Sequence, residues 1–172
     1  MNLSFETCTV NHLDVLCEIS RSTFVTAFEK DNDPEYFWDY INSAFNPETI
    51  LEEIQNKNST FYFILSNKTI VGYFKLNQND AQNELFTKPS IELERIYVLP
   101  DFQGQGIGKI ALFKIIKLAQ EKKVDFLWLG VWQENKSAIT FYQKNGFKIF
   151  GSHPYFIGKD KQTDWLMKYQ LD

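Results

Sequence analysis

The clearest hydrophobic pattern of the chain flanks a glycine-rich segment at residues 103–108 (Gln-Gly-Gln-Gly-Ile-Gly). Before it, residues 91–98 alternate with a period of two, which predicts a half-buried strand that ends before Pro100. After it, apolar side chains recur every three or four positions, which predicts an amphipathic helix from Gly106 to about Lys122. The pattern therefore indicates a strand, a short glycine loop and a helix in succession.

The N-terminal third predicts one strand followed by three helices. Residues 3–10 form the strand, and Asn11 is the expected N-cap of a first helix whose apolar stripe runs to Phe28. Asp33-Pro34 and Asn46-Pro47 each pair a capping side chain with a proline suited to the first helical turn. These pairs predict a second helix from residue 34 and a third over residues 48–56.

The remaining pattern predicts mainly strands. Residues 60–65 and 69–76 form a hairpin around Asn67-Lys68, and a polar loop follows at 77–88. The continuous apolar run 125–132 indicates a strand covered on both faces, and a short helix at 135–145 ends at Gly146. Three closing strands are predicted at 147–150, 155–158 and 164–169. The order predicts a mixed sheet with helices on both faces.

The composition indicates the size of the domain and the cellular compartment of the protein. At 172 residues and 44% apolar content, we expect a single domain over residues 1–172 with a sizeable core. Cys8 and Cys17 are too few for a disulfide framework and lie at no metal-ligand spacing, so we expect buried thiols and no metal. Neither a signal peptide nor an apolar run of about 20 residues is evident, which predicts a cytoplasmic protein with no membrane partner.

The charge balance leaves room for a cationic partner. Eighteen basic and 22 acidic residues give a net charge of -4, which argues against nucleic-acid binding. Five acidic residues cluster near the second helix, at Glu29, Asp31, Asp33, Glu35 and Asp39. They form either a solvated helix face with its caps or an electronegative rim that attracts a polyamine.

The glycine loop has the properties of an anion site. Glycines allow close approach of a ligand to the backbone, and a helix N-terminus carries roughly half a positive charge. The phosphate loop of nucleotide-hydrolysing proteins is excluded because Ile110 stands where Ser or Thr is required. The dinucleotide fingerprint is excluded because its third glycine is replaced by Lys109. A Gln-x-x-Gly-x-Gly pattern remains, which by itself is also compatible with a turn that merely starts a helix.

A second motif lies on the predicted helix at 135–145. Asn135, Ala138 and Tyr142 are spaced three and four residues apart and therefore share one side of the helix. The small Ala138 permits close approach, so an amide and a phenol would line one slot. Aromatic residues such as Phe141 and Tyr142 are also common in protein cores.

Together, Gln-x-x-Gly-x-Gly and Asn-x-x-Ala-x-x-Phe-Tyr-x-x-x-Gly-Phe resemble the paired signature of the GNAT N-acetyltransferases. Residues 92–97, 128–132, 43–46 and 163–164 extend the resemblance to bacterial spermidine/spermine N-acetyltransferases of the PaiA type. The resemblance implies an α/β fold with a mixed, mostly antiparallel sheet, in which the parallel fourth and fifth strands splay apart and helices cover both faces. It also implies acetyl-CoA as cosubstrate and a small cationic amine, most simply a polyamine, as acceptor.

The resemblance further implies which residues bind the coenzyme. The backbone of Ile96, Tyr97 and Val98 would bond the pantetheine arm and the acetyl carbonyl. The loop would hold the diphosphate, and the start of the following helix motif would touch the coenzyme arm. The loop residues are Gln103, Gly104, Gln105, Gly106, Ile107, Gly108 and Lys109, and the helix residues are Asn135, Lys136 and Ser137.

Acetyl transfer to an amine also requires proton transfer. An alkyl ammonium has a pKa of about 10.4, so only about one molecule in 10³ is neutral at pH 7. Glu92 and Glu94 are candidate bases, although each could instead pair with a cation such as Arg95. A backbone N–H near Val98 could polarise the carbonyl. Tyr142 is the candidate acid that protonates the departing thiolate.

Several alternatives remain at this point. Family members that acetylate protein N-termini often carry a Glu in the fifth strand, where this chain has Gly130. His153 and Tyr155 could border the acceptor cavity, although a lone His is more often structural. The acceptor could be a peptide N-terminus, an amino acid or an aminoglycoside, and a non-catalytic coenzyme sensor would use the same pocket. A homodimer is possible.

Overall fold

The computed structural model describes residues 2–171 and contains a seven-stranded sheet in the order β1-β2-β3-β4-β5-β7-β6. The strands are β1 Leu3–Thr7, β2 Ser59–Ser66, β3 Thr69–Gln78, β4 Ser90–Val98, β5 Phe126–Trp132, β6 Lys148–Ile157 and β7 Asp160–Gln170. The helices are α1 Leu13–Phe28, α2 Pro34–Ala44, α3 Pro47–Gln55, α4 Ile107–Glu121 and α5 Lys136–Lys144. No helix within residues 2–171 is long and apolar enough to cross a membrane.

The parallel pair β4–β5 is joined only at its beginning. Ser90, Ile91 and Glu92 pair with Phe126, Leu127 and Trp128, and beyond them the two strands separate. Every other neighbouring pair is antiparallel. The predicted mixed, mostly antiparallel sheet with splayed fourth and fifth strands is confirmed. The separation leaves a gap in the middle of the sheet, with backbone groups of β4 facing it.

A bulge in β4 lies beside this gap. Leu76 of β3 pairs with Leu93, whereas the preceding Lys75 pairs with Arg95. Glu94 is therefore an extra residue on β4, which bends the strand and changes the face to which the following side chains point.

Two apolar layers cover the sheet, as predicted. Alternate residues of β5 point to opposite faces, which explains why this strand is apolar throughout. Leu127 and Leu129 pack in the layer under α4 and α5, whereas Phe126 and Trp128 face the other side, under Phe86. Helices α1, α2 and α3 supply a second large cluster on that other face, from residues including Leu16, Phe24, Phe37, Ile41 and Ile50.

The first helix begins later than predicted. Strand β1 ends at Thr7, and a 3-10 turn over Val10–His12 precedes α1. The backbone N–H of Thr9 donates to His12 Nδ1 at 3.0 Å, and the turn is closed by that local bond rather than by Asn11. The prediction that Asn11 is the N-cap of the first helix was therefore wrong. Asp33 and Asn46 do cap α2 and α3 through their side-chain oxygens.

The C-terminal region contains two long strands instead of three short ones. Strand β6 continues through Gly151 and Pro154, which the sequence pattern treats as a break. Because β6 is an edge strand paired only with β7, it tolerates both a bulge near Gly151 and a proline. The prediction of separate strands at 147–150 and 155–158 was therefore wrong. As predicted, Gly146 follows α5 with a left-handed φ of 92°.

Candidate active site at the gap in the sheet

A cleft of about 660 Å³ lies where the end of β4, the glycine loop and the starts of α4 and α5 meet. Most of the residues predicted to bind coenzyme line it. They are Ile96, Tyr97, Val98, Gln103, Gly104, Gly106, Ile107, Gly108, Lys109, Asn135 and Ser137. We call this space the coenzyme cleft.

Two predicted residues point elsewhere. Gln105 donates from its side-chain amide to the carbonyl of Asp101 at 3.2 Å. The Lys136 ammonium donates to the carbonyl of Gln133 at 2.8 Å. Neither lines the coenzyme cleft. Helix α1 contributes residues that the sequence patterns did not indicate, among them Thr23 and Phe28, because a contact between α1 and β4 has no local signal.

The glycine loop presents backbone to the cleft. Gly104 and Gly106 have left-handed φ values of 72° and 80°, and a Cβ on either would meet no atom within 4 Å. Helix α4 begins directly after Gly106 and has no acidic side chain in its first turn, so its first amides and its positive end are not neutralised there. Gln103 ties the loop to β4 by donating to the carbonyl of Val98 at 2.9 Å. These features fit the diphosphate of a coenzyme.

Tyr142 lies on the wall between the coenzyme cleft and a second cavity. Together with Asn135 and Ala138 it lines both spaces, so the predicted common side of the helix is confirmed. The Asn135 side chain also accepts from the backbone N–H of Ala138 at 3.1 Å and thereby caps α5. Tyr142 is 8% exposed, and burial raises its pKa above the usual value of 10. Its hydroxyl is therefore protonated at neutral pH and can donate.

The second cavity, of about 300 Å³, lies on the other side of the gap, and we call it the acceptor cavity. Aromatic side chains from α1, α2 and β6 form part of its walls, and β4, β5, α5, β7 and the loop after β3 contribute the rest. The hydroxyls of Tyr40 and Tyr155 are hydrogen-bonded to each other across it. Two carboxylates, Glu94 and Asp164, also line it. Tyr155 lines this cavity as predicted, whereas Tyr40 and Asp164 were not identified from the sequence.

Glu94 is held in a partly buried cluster of four charges. Its carboxylate lies 2.7 Å from the Lys75 ammonium and 3.2 Å from the Arg95 guanidinium, and Glu53 bridges the same two cations. Burial would raise the pKa of Glu94, but Arg95 and Lys75 outweigh it and lower the pKa to about 2. A carboxylate with that pKa is a weak proton acceptor at neutral pH. The geometry thus matches the alternative of an ion-paired glutamate, and its role as a base stays a prediction.

Glu92 holds a loop in place. It is 3% exposed, and its oxygens accept from the backbone N–H and side-chain amide of Asn83 at 2.9 and 2.8 Å and from Asn77 at 3.2 Å. Burial raises the pKa of Glu92, and the hydrogen bonds from Asn83 partly offset this effect. Glu92 does not line the acceptor cavity. Its role as a base also stays a prediction.

The five acidic residues predicted as a group near α2 are all exposed, and Asp33 serves as the N-cap of that helix. None of them lines the coenzyme cleft or the acceptor cavity. Their arrangement fits a solvated helix face.

Comparisons with known proteins agree with this geometry. Residues 13–147 match the acetyltransferase (GNAT) family. An uncharacterized N-acetyltransferase from the pepI 3′ region of Lactobacillus delbrueckii subsp. lactis is 39% identical over 157 residues, which cover 89% of this chain and 88% of that protein. The spermidine N(1)-acetyltransferase of Thermoplasma acidophilum is 25% identical over 153 residues, covering 87% of this chain and 90% of the relative.

A solved structure shows the same fold. The PaiA N-acetyltransferase of Thermoplasma acidophilum, crystallised in complex with coenzyme A, superposes with a TM-score of 0.78 at 23% identity and covers 99% of this chain and 100% of its own. The split sheet, the glycine loop and the family match all lead to the same assignment. The chain therefore belongs to the GNAT family and is an acetyl-CoA-dependent N-acetyltransferase.

Proposed function

We propose that this enzyme transfers the acetyl group to a primary amine of a polyamine such as spermidine or spermine, by direct attack in a ternary complex. The charge of the acceptor cavity carries the proposal. Arg95 lines this cavity, but its guanidinium makes two 3.0 Å hydrogen bonds to Glu53 and also pairs with Glu94. Asp164 also lines the wall, and within residues 2–171 its ion-pair partner is His153, with Nε2 at 3.9 Å, so its negative charge favours a cation whenever that ring is neutral. The similarity to a spermidine N(1)-acetyltransferase supports the same acceptor.

On the donor side, the amides of residues 103–109 would hold the diphosphate. The coenzyme arm would enter the gap along Ile96, Tyr97 and Val98, because β5 no longer pairs with β4 beyond Glu92. Asn135 and Ser137 would border the arm from α5. The acetyl group would then reach the wall that carries Tyr142, with the acceptor cavity on its other side.

The chemistry follows from this placement. The neutral amine attacks the thioester carbonyl carbon, while a backbone N–H near Val98 polarises the carbonyl oxygen. The C–S bond then breaks and the thiolate receives a proton from Tyr142. The attacking nitrogen loses a proton to water as the amide forms, and water returns a proton to the Tyr142 oxygen, which restores the hydroxyl. A phenol has an ordinary pKa of about 10 and a thiol of about 8.5, and burial raises the Tyr142 pKa further. Because transfer to a free thiolate is uphill, the proton moves as the C–S bond breaks.

An amine panel tests the acceptor. The enzyme is incubated with acetyl-CoA and spermidine, spermine, butylamine, an aminoglycoside, an amino acid or a peptide with a free N-terminus, and products are identified by mass spectrometry. We expect kcat/KM for spermidine to exceed that for butylamine at least tenfold, because both carry a primary amine but only spermidine carries additional ammonium groups.

Two results would contradict the proposal. Preference for the peptide would place the enzyme among N-terminal acetyltransferases. Thermal stabilisation by acetyl-CoA without release of thiol in the presence of any amine would indicate a coenzyme-binding sensor.

A further inference from the structure

An annex of about 220 Å³ adjoins the acceptor cavity. The two spaces share Asn83, Glu94, Gly130, Tyr155 and Asp164 in their walls. The annex adds three titratable side chains, which are Glu84, Glu92 and His153. The register of the sheet creates this arrangement, because Asp164 of β7 lies between Trp132 of β5 and His153 of β6.

His153 is held between two carboxylates. Its side chain is 14% exposed, Nδ1 lies 2.9 Å from Glu84 Oε1, and Nε2 lies 3.9 Å from Asp164 Oδ2. Hydrogen bonding of Nδ1–H to Glu84 leaves the lone pair of the neutral ring on Nε2, beside Asp164. Asp164, followed by Glu84, raises the pKa of His153 above its usual 6.5, although burial acts in the opposite direction.

Gly130 gives the acceptor cavity access to this ring. A Cβ at residue 130 would lie 3.3 Å from His153 Nε2 and 3.3 Å from Asp164 Oδ2. Gly130 has no left-handed φ, so its backbone would accept a side chain. The missing side chain therefore leaves space in front of both polar groups, at a residue that lines the acceptor cavity and the annex.

We propose that His153 is the general base of the acetyl transfer and that its Nε2 takes the proton of the acceptor ammonium at the opening beside Gly130. The N–H bond of the ammonium breaks, an N–H bond forms at Nε2, and the electron pair remains on the amine nitrogen that attacks the thioester. Asp164 stabilises the imidazolium, which loses its proton to water between turnovers. The inference rests on the acetylation of an amine and does not require that amine to be a polyamine.

The groups that face His153 define the pH dependence. They are Glu84 from the loop after β3, Asp164 from β7, Glu92 and Glu94 from β4, and Tyr155 from β6. The two nearest carboxylates favour the protonated ring. Since the base must be neutral, kcat/KM increases as the pH rises through the His153 pKa and falls below it.

The first experiment replaces His153 by Gln. We expect kcat/KM for the amine to fall about 100-fold at pH 7, within the range for loss of a general base. The KM for acetyl-CoA should stay within threefold, and the loss should shrink toward pH 10, where free amine is abundant. His12→Gln is the matched control, because the chain contains two histidines and His12 lines neither cavity nor the annex. Activity of His153→Gln within threefold of the parent would overturn the proposal.

The Gly130→Ala variant tests whether the acceptor amine reaches His153 through the opening at residue 130, while His153 itself is unchanged. The added methyl group meets both Nε2 and Asp164, so we expect kcat/KM for the amine to fall at least tenfold with an unchanged KM for acetyl-CoA. Activity within twofold of the parent would contradict the path from the acceptor cavity to His153.

NMR titration measures the ring itself and needs no turnover. With two histidines in the chain, the two Gln variants assign both imidazole signals. We expect the His153 pKa to exceed 6.5 and to fall in Asp164→Asn, with the acidic limb of the kcat/KM profile moving in the same direction. Two results would overturn the proposal. In the first, the His153 pKa is the same in Asp164→Asn as in the parent. In the second, the NMR pKa of His153 shifts but the acidic limb of the kcat/KM profile does not. The kinetic measurements use whichever amine of the panel reacts fastest. If spermidine does not react, the proposed acceptor is contradicted but the role of His153 is still tested.

Discussion

Tyr142 shows how one residue connects the two halves of the site. It packs against Phe141 and Phe147 with ring centroids 5.3 and 5.5 Å away, so its position is fixed by the core under α5. Its ring borders the coenzyme cleft and the acceptor cavity at the same time. The hydroxyl is the group that chemistry requires, whereas the ring is required by packing.

This distinction yields the first residue-scale prediction. In Tyr142→Phe the ring and its packing remain but the proton donor is lost, so we expect kcat with spermidine to fall at least tenfold. Coenzyme affinity, measured by titration calorimetry, should stay within about threefold. Tyr62→Phe, a tyrosine that lines neither cavity, is the control. Unchanged turnover of Tyr142→Phe would remove the hydroxyl from the mechanism.

Glu92 and Glu94 show what spacing alone cannot reveal. They lie two residues apart on one strand, yet the pKa of Glu92 is raised by burial and that of Glu94 is lowered by Arg95 and Lys75. They share the side-chain amide of Asn77 as a hydrogen-bond donor, but their other partners differ, Asn83 for Glu92 and two cations for Glu94. The sequence made both of them candidate bases, whereas in the structure Glu92 anchors a loop and Glu94 belongs to an ion cluster.

At the scale of elements, the glycine loop and α4 form one unit. Gly106 has a left-handed φ and is the residue from which α4 starts, so the conformation of the loop determines the direction of the first helical amides. A residue with a side chain would be strained in this conformation by about 1–2 kcal/mol.

Gly106→Ala tests this unit. A Cβ would meet no protein atom within 4 Å, so the added methyl group would project into space left open beside the coenzyme cleft. We expect the Kd for acetyl-CoA to rise about tenfold and the melting temperature to fall. In the control, Gly151→Ala, the methyl group makes ordinary contact with Leu166 at 3.5 Å, and the Kd should not change. A Kd within twofold of the parent in Gly106→Ala would show that the loop does not hold the ligand.

The whole molecule is organised around the short pairing of β4 with β5. Because only three residue pairs join these strands, the sheet is open in its middle, and the two cavities meet there. Helices α1 and α2 close one side, and α4 and α5 close the other. A ligand in the gap would bridge parts of the molecule that the sheet itself leaves apart.

Binding of acetyl-CoA should therefore stabilise the molecule unevenly. At 100 times its Kd, a ligand raises the free energy of unfolding by about 2.7 kcal/mol. We expect hydrogen exchange, followed by mass spectrometry, to slow at residues 96–109 and 135–142. The hairpin of β6 and β7 lies outside the coenzyme cleft and serves as the internal control. Protection absent from residues 103–109 would contradict the proposed diphosphate site.

Sequence alone was sufficient where the deciding interactions are local. The caps Asp33 and Asn46, the glycine loop and the helical side that carries Tyr142 depend on residues a few positions apart. The same patterns supported the resemblance to the GNAT family and hence the expected splay of β4 and β5. Two predictions from local patterns were wrong. The start of α1 was misplaced because a His side chain closes a turn that the pattern does not indicate. Strand β6 was divided because an edge strand accommodates a proline that the pattern treats as a break.

The acceptor side was decided only by the tertiary structure. Phe24, Tyr40 and Asp164 meet there from α1, α2 and β7, which are far apart in the chain. The orientation of His153 toward the space in front of Gly130 depends on the register of β5, β7 and β6. Amino-acid periodicity reports which residues share a face of one element. Which faces of distant elements meet is determined by packing of the complete core, and that packing forms the acceptor cavity and the annex.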